Sequence, residues 1–99
     1  MIVVAGSVPI KPDKIGELRT AAAAVCAATR AEKGCIGYDF SLDMENPTVM
    51  RIFEQWESAA DLDAHLGQPH TQAFLGKLGE LAAGASEVKR YVVAAVEPL

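Results

Sequence analysis

Basic clusters are missing from this chain. Its 9 lysines and arginines are scattered among 13 acidic residues, and the formal net charge is −4. Nothing here can neutralise a run of phosphates, so nucleic acid is excluded as an expected partner. Cysteine is scarce too: Cys26 and Cys35 cannot make a disulfide framework, and each reads as a small buried hydrophobe. There is no C-x-x-C and no H-x-x-x-H. His65 and His70 are separated by Gly67 and Pro69, a poor spacing for one helical metal face, so no metal is expected. No apolar run approaches the roughly 20 residues that span a bilayer. The opening Met-Ile-Val-Val-Ala-Gly-Ser reads as a strand, not as a basic leader followed by an apolar stretch. The expectation is a cytoplasmic protein with no membrane partner.

What is present is apolar. Hydrophobic residues make up 51% of the 99, and charged residues 22%. That length suits one domain over residues 1–99 with a modest core. So much apolar content in a small chain leaves greasy surface over, which points to self-association.

The elements follow from periodicity. Ile2 to Ile10 is β-branched and reads as a strand weakened at Pro9. Pro12 and Asp13 open a helix in which Ile15, Leu18, Ala22, Val25, Cys26 and Thr29 share a stripe, with Gly34 as its stop. A second strand alternates, with Ile36, Tyr38, Phe40 and Leu42 on one face and Cys35, Gly37, Asp39 and Ser41 on the other. Asn46-Pro47 turns the chain into a third strand, Val49 to about Glu57, with Met50, Ile52, Glu54 and Trp56 together on one face. Ser58 to Asp61 resembles a capping box and starts a short helix to about Leu66. Gly67 breaks that helix, Pro69 restarts another, Gly84 ends it, and Glu87 to Val96 makes a last strand. The order β-α-β-β-α-β predicts an α+β, ferredoxin-like fold with a four-stranded antiparallel sheet and its helices on one face. A second copy stacked on the open face would make a dimeric α/β barrel.

Chemistry is concentrated between Glu32 and Phe74. All the aromatics except Tyr91 lie there, with both histidines and Glu54. His65 and His70 are the candidate bases, because imidazole titrates nearest neutral pH. Glu54 is a candidate to orient one of them. Tyr38, Trp56 and Phe74 are candidate walls for a flat ligand, and the Trp56 N–H and Tyr38 hydroxyl can hold an oxygen. Structural duties compete with each role. Trp56 suits a core or dimer anchor, and Tyr38 and Phe40 at period two suit a core face. His65 can simply tie its helix to Glu54. His70, just after Pro69, can be solvent-exposed, and Arg51 can be a solvated or interface charge.

The pattern E-K-G-C-I-G-Y, the strand end E-Q-W-E-S, then D-A-H-L and H-T-Q-A-F resembles the antibiotic biosynthesis monooxygenase family of dimeric α/β barrels. The resemblance runs over essentially the whole chain. It implies a homodimer with a mostly apolar pocket in each subunit. The implied activity is oxidation of a small aromatic phenol or quinol with O₂, without metal, flavin or other cofactor. By position, Glu54 and Trp56 match the family's E-x-W, and His65 matches the histidine of its short helix. His70 and Phe74 match its H-x-x-x-F, and Tyr38 the aromatic of G-x-x-Y. The family also holds haem-degrading enzymes and an isomerase. Haem binding there implies a histidine well along the long helix, whereas this chain has none after His70. A non-enzymatic dimer that binds a hydrophobic metabolite, or an isomerase, is the alternative.

Overall fold

Eight inward-facing positions on two neighbouring strands decide where the core lies. The computed structural model describes residues 1–99. Strand β1 (Ile2–Pro9) is followed by a 3-10 turn (Pro12–Lys14) and helix α1 (Ile15–Arg30). Strands β2 (Cys35–Leu42) and β3 (Val49–Trp56) form a hairpin. Helices α2 (Ala59–Leu66) and α3 (Pro69–Leu81) then precede strand β4 (Glu87–Val92). The sheet is antiparallel throughout, in the order β2-β3-β1-β4.

Register explains the inner face. Trp56 pairs with Ile2, Glu54 with Val4, Ile52 with Gly6 and Met50 with Val8. Side chains alternate along a strand, so these rows share one side. There they meet Leu18, Val25, Cys26 and Thr29 of α1, Leu62 and His65 of α2, and Phe74 and Leu81 of α3. The α1 stripe read from spacing is therefore the buried one. The other face carries Phe53 and Tyr91, 45% and 50% exposed, with Ala5 opposite Phe53 and Val3 opposite Tyr91.

Several details depart from the sequence expectation: the last strand ends at Val92 and not at Val96, and α3 ends at Leu81, ahead of Gly84. Ile36 was expected inside, but it is 48% exposed, while Cys35 packs against the core. A β-bulge between Cys35 and Gly37 is the cause: Cys35 pairs with Trp56 and Gly37 with Gln55, so one extra residue resets the alternation. The first helix ends at Arg30, not at Gly34. Gly34 instead supplies the left-handed turn (φ 81°) from which the chain enters β2, and its carbonyl accepts from Glu57 N–H at 2.9 Å.

Strand β4 is a fully exposed edge that pairs only with β1. Gly6 is what lets it approach. A Cβ at that position would sit 2.0 Å from the Glu87 carbonyl oxygen and 2.6 Å from Val88 Cα, both backbone atoms that cannot swing aside. Gly6→Ala is predicted to destabilise the fold by about 1–3 kcal/mol, the usual range for overpacking. The loosening should concentrate in β4. Hydrogen exchange of the amides of residues 87–92 should speed up far more than exchange in β3; uniform acceleration, or none, would refute the argument.

Candidate active site

Three elements converge on one carboxylate. Glu32 lies just past the end of α1, in the turn held by Glu32 N–H to Thr29 O and Cys35 N–H to Glu32 O. His65 sits in the last turn of α2, and His70 is the second residue of α3. The two helices are joined through Gly67 and Gln68, with Gln68 N–H donating to His65 O and Gln72 Nε2 to Leu66 O. This corner brings both imidazoles to the same atom. His65 Nδ1 and His70 Nε2 each lie 2.8 Å from Glu32 Oε2. Thr71 Oγ1 lies 3.2 Å from His65 Nδ1.

The proton assignment follows from what a carboxylate can do. An ionised carboxylate only accepts, so both ring nitrogens facing it carry hydrogen. An imidazole that is neutral in this arrangement has its other nitrogen as an acceptor: Nε2 on His65 and Nδ1 on His70. Burial separates them. His65 is 1% exposed, whereas the His70 side chain is 28% exposed.

Behind His65 stands a ring cluster. Its centroid is 4.7 Å from that of Trp56 and 5.2 Å from that of Tyr38. Tyr38 lies 5.0 Å from Phe40, which stacks on Phe74 at 5.2 Å. Burial, and next the nearby Glu54 carboxylate, push the Tyr38 phenol well above its ordinary range. Tyr38 is thus a neutral group, able to donate a hydrogen bond and unfit to be a base.

Sequence reasoning offered Glu54 to orient one of the histidines, and the structure gives it another partner. Glu54 makes no hydrogen bond to either ring; its Oε1 accepts from Trp56 Nε1–H at 3.0 Å, two residues along the same strand face. The partner of both histidines is Glu32, which spacing did not single out. It lies 33 and 38 residues from its two partners, and only the fold joins them. Arg51 is an exposed charge held by Asp43 at 2.7 Å, away from this cluster.

Two clefts flank the buried rings. One, of about 230 Å³, opens between α1 and α3 and is lined by Ala21, Ala24, Val25, His70, Ala73, Phe74 and Lys77. The other, of about 200 Å³, is lined by Val4, Glu54, Leu62, Leu66, Val88, Lys89 and Arg90. His70 and Phe74 thus share a cleft. Glu54 belongs to the other, and Tyr38, Trp56 and His65 fill the space between them.

The sequence model described as antibiotic biosynthesis monooxygenase matches residues 1–77. The chain belongs to this family. It is 36% identical over 98 residues to the Synechocystis protein sll1783, covering 99% of this chain and 67% of that protein. It is 35% identical over 71 residues to the "Putative monooxygenase Rv0793" of Mycobacterium tuberculosis, covering 72% of this chain and 69% of that one. The solved structure of Rv0793 superposes with a TM-score of 0.89 at 28% identity, covering 98% of each chain. A Deinococcus radiodurans structure of the same family gives 0.92 at 23% identity, over 100% of this chain and 98% of that one, which speaks for the fold alone. No helix of the chain is long and apolar enough to cross a membrane.

Burial raises the Glu54 carboxyl above its ordinary 4.5, and the Trp56 hydrogen bond only partly opposes this. A folded-state pKa above the unfolded one means that the charged form weakens the fold. The penalty is present above the folded pKa and disappears as pH falls to the unfolded value. Glu54→Gln keeps an oxygen for Trp56 and removes the charge. Its melting temperature should exceed the parent's at pH 8, and the gap should close as pH approaches 4.5. A gap that stays constant across that range would refute the assignment.

Proposed function

We propose that this protein is a monooxygenase that oxidises a small aromatic phenol or quinol with O₂ to a quinone, and that the reaction needs no cofactor. One observation carries the proposal: His70, whose Nε2 lies 2.8 Å from the Glu32 carboxylate, lines an apolar cleft, which leaves Nδ1 as the nitrogen to act there. Family membership supports the reaction type. The cleft's roughly 230 Å³ lies below the ~300 Å³ at which drug-sized pockets begin, so it favours a compact substrate.

Dioxygen in its triplet ground state reacts slowly with closed-shell molecules, so the substrate must first become electron-rich. His70 Nδ1 takes the hydroxyl proton, and Glu32 stabilises the imidazolium that forms. The phenolate passes one electron to O₂, and the radical pair combines into a hydroperoxide. Loss of water then leaves the quinone, so that one phenol and one O₂ give one quinone and one H₂O. Phe74 walls the substrate. His65 shares the carboxylate and keeps it in place. Trp56 and Tyr38 pack on His65 behind the cleft and complete its aromatic backing, with Glu54 steadying the indole.

The working form in this proposal is a homodimer. Phe53, Tyr91, Val3 and Ala5 give the open sheet face an apolar centre that a second copy would cover. The cytoplasm suits the two free thiols of Cys26 and Cys35.

Oxygen uptake by metal-free protein against hydroquinones, naphthols and anthrones tests the reaction. His70→Ala should lower the rate by about 10²–10⁴-fold, the usual worth of a positioned base. Glu32→Gln should also lower it, with the loss in kcat rather than KM. Absence of uptake from a folded dimer would sink the oxygenase reading and favour proton transfer alone, as in an isomerase, or simple binding. Uptake unchanged in His70→Ala would sink the role of His70.

A further inference from the structure

The spacing of His65 and His70 argued against a metal because two residues five apart across a helix break cannot share one helical face. The fold removes that objection. The two imidazoles come from different helices, and the third group, Glu32, comes from a loop on the far side of α1. Their ligand atoms, His65 Nδ1, His70 Nε2 and a Glu32 carboxylate oxygen, all lie within 4.8 Å of one another. We propose that Glu32, His65 and His70 form a binding site for a divalent first-row transition cation, with zinc the best fit.

The donor set supports this. Two imidazole nitrogens and one carboxylate oxygen suit zinc and its neighbours, and do not suit magnesium or calcium, which prefer all-oxygen sites. Zinc bonds of about 2.0–2.2 Å place tetrahedral ligand atoms roughly 3.3 Å apart. The two nitrogen–oxygen separations are now 2.8 Å, the lengths of hydrogen bonds. Binding would lengthen these two separations by about half an ångström and bring the two nitrogens, now within 4.8 Å of each other, to a similar spacing. The surroundings are those of a built site: His65 is almost completely buried, Glu32 is nearly so, and the Thr71 hydroxyl stands 3.2 Å from the His65 ligand nitrogen. His70 is the most exposed of the three and lines the α1–α3 cleft.

Loading also changes what His70 can do. A neutral imidazole that gives its Nε2 lone pair to a metal carries its hydrogen on Nδ1. In the metal-free protein Nδ1 is the acceptor; with metal on Nε2 it becomes a donor. No net proton is released, because each ring loses hydrogen at the ligating nitrogen and gains it at the other. The cation therefore switches off the base. This consequence rests on the proposed function, whereas the binding itself does not.

Cobalt(II) titration of untagged, metal-free protein tests the site without substrate, so its outcome is independent of oxygenase turnover. The expected result is one equivalent per chain, with the strong visible bands of four-coordinate cobalt, displaced by zinc. His70→Gln keeps an N–H for Glu32, so the corner remains supported, but it loses the imidazole ligand; affinity should fall at least about tenfold. Glu32→Gln should behave likewise. Cys35→Ala, which removes the thiol beside the Glu32 turn, should leave both stoichiometry and spectrum unchanged. Absence of the visible bands, or equal binding by parent and His70→Gln, would overturn the proposal. So would loss of binding in Cys35→Ala.

Discussion

The shared oxygen of Glu32 is the contact on which the corner of this molecule depends. It reaches from the loop after α1 to the end of α2 and the start of α3, and it accepts from both imidazoles at 2.8 Å. A carboxylate this deep in the protein would be unfavourable alone, because its charge has lost most of its water. Two donors on one oxygen offset that loss. They also fix which nitrogen of each ring carries hydrogen, and so determine the chemistry left on the opposite side. Breaking the pair would cost more than one hydrogen bond, since the charge would stay buried without its donors.

The second polar contact inside the sheet–helix layer obeys the same rule with a different result. Glu54 and Trp56 project from the same face of β3, and the indole N–H satisfies one carboxylate oxygen. One neutral donor is less than Glu32 receives, and the Glu54 carboxyl is accordingly pushed upward by burial. The two acids thus differ in the donors that reach them. Glu32 is held as an acceptor for two rings. Glu54 is moved toward the protonated form and occupies a separate cleft with Arg90. His65 and Trp56, 4.7 Å apart, form the partition between them.

The fold was legible in this chain because its signals are local. Alternation in β3 placed Met50, Ile52, Glu54 and Trp56 on one face, and pairing with Ile2, Val4, Gly6 and Val8 follows from that face being buried. The stripe of α1 needed only its 3.6-residue period. Where the reading slipped, the cause was a backbone feature with no side-chain signature. The bulge after Cys35 moved Ile36 outward and Cys35 inward. Gly34, read as a helix stop, serves instead as the left-handed hinge into β2. The candidate site was legible as a set of residue types, not as a network. Tyr38, Trp56, His65, His70 and Phe74 do gather around one corner. Their acidic partner was misassigned because E-x-W draws the eye to Glu54, whereas Glu32 acquires its partners only when α1 packs beside α3.

The difference in exposure between the two histidines decides how that network can be used. His65 is buried among Trp56, Tyr38, Thr71 and Glu32, away from the cleft where an organic substrate would lie. His70 shares the same anchor but stands at the cleft beside Phe74. An imidazole held by one nitrogen at the rim of a cleft has its orientation fixed and its ring within reach of a ligand. A buried imidazole in the same network ties α2 to the turn after α1. Equivalent hydrogen bonds to one oxygen atom therefore produce two different residues, and it is the break at Gly67 to Pro69 that turns the second one outward. A continuous helix would put residues five apart on diverging faces, and Glu32 could not reach both. The interruption between α2 and α3 is the geometric condition for the site.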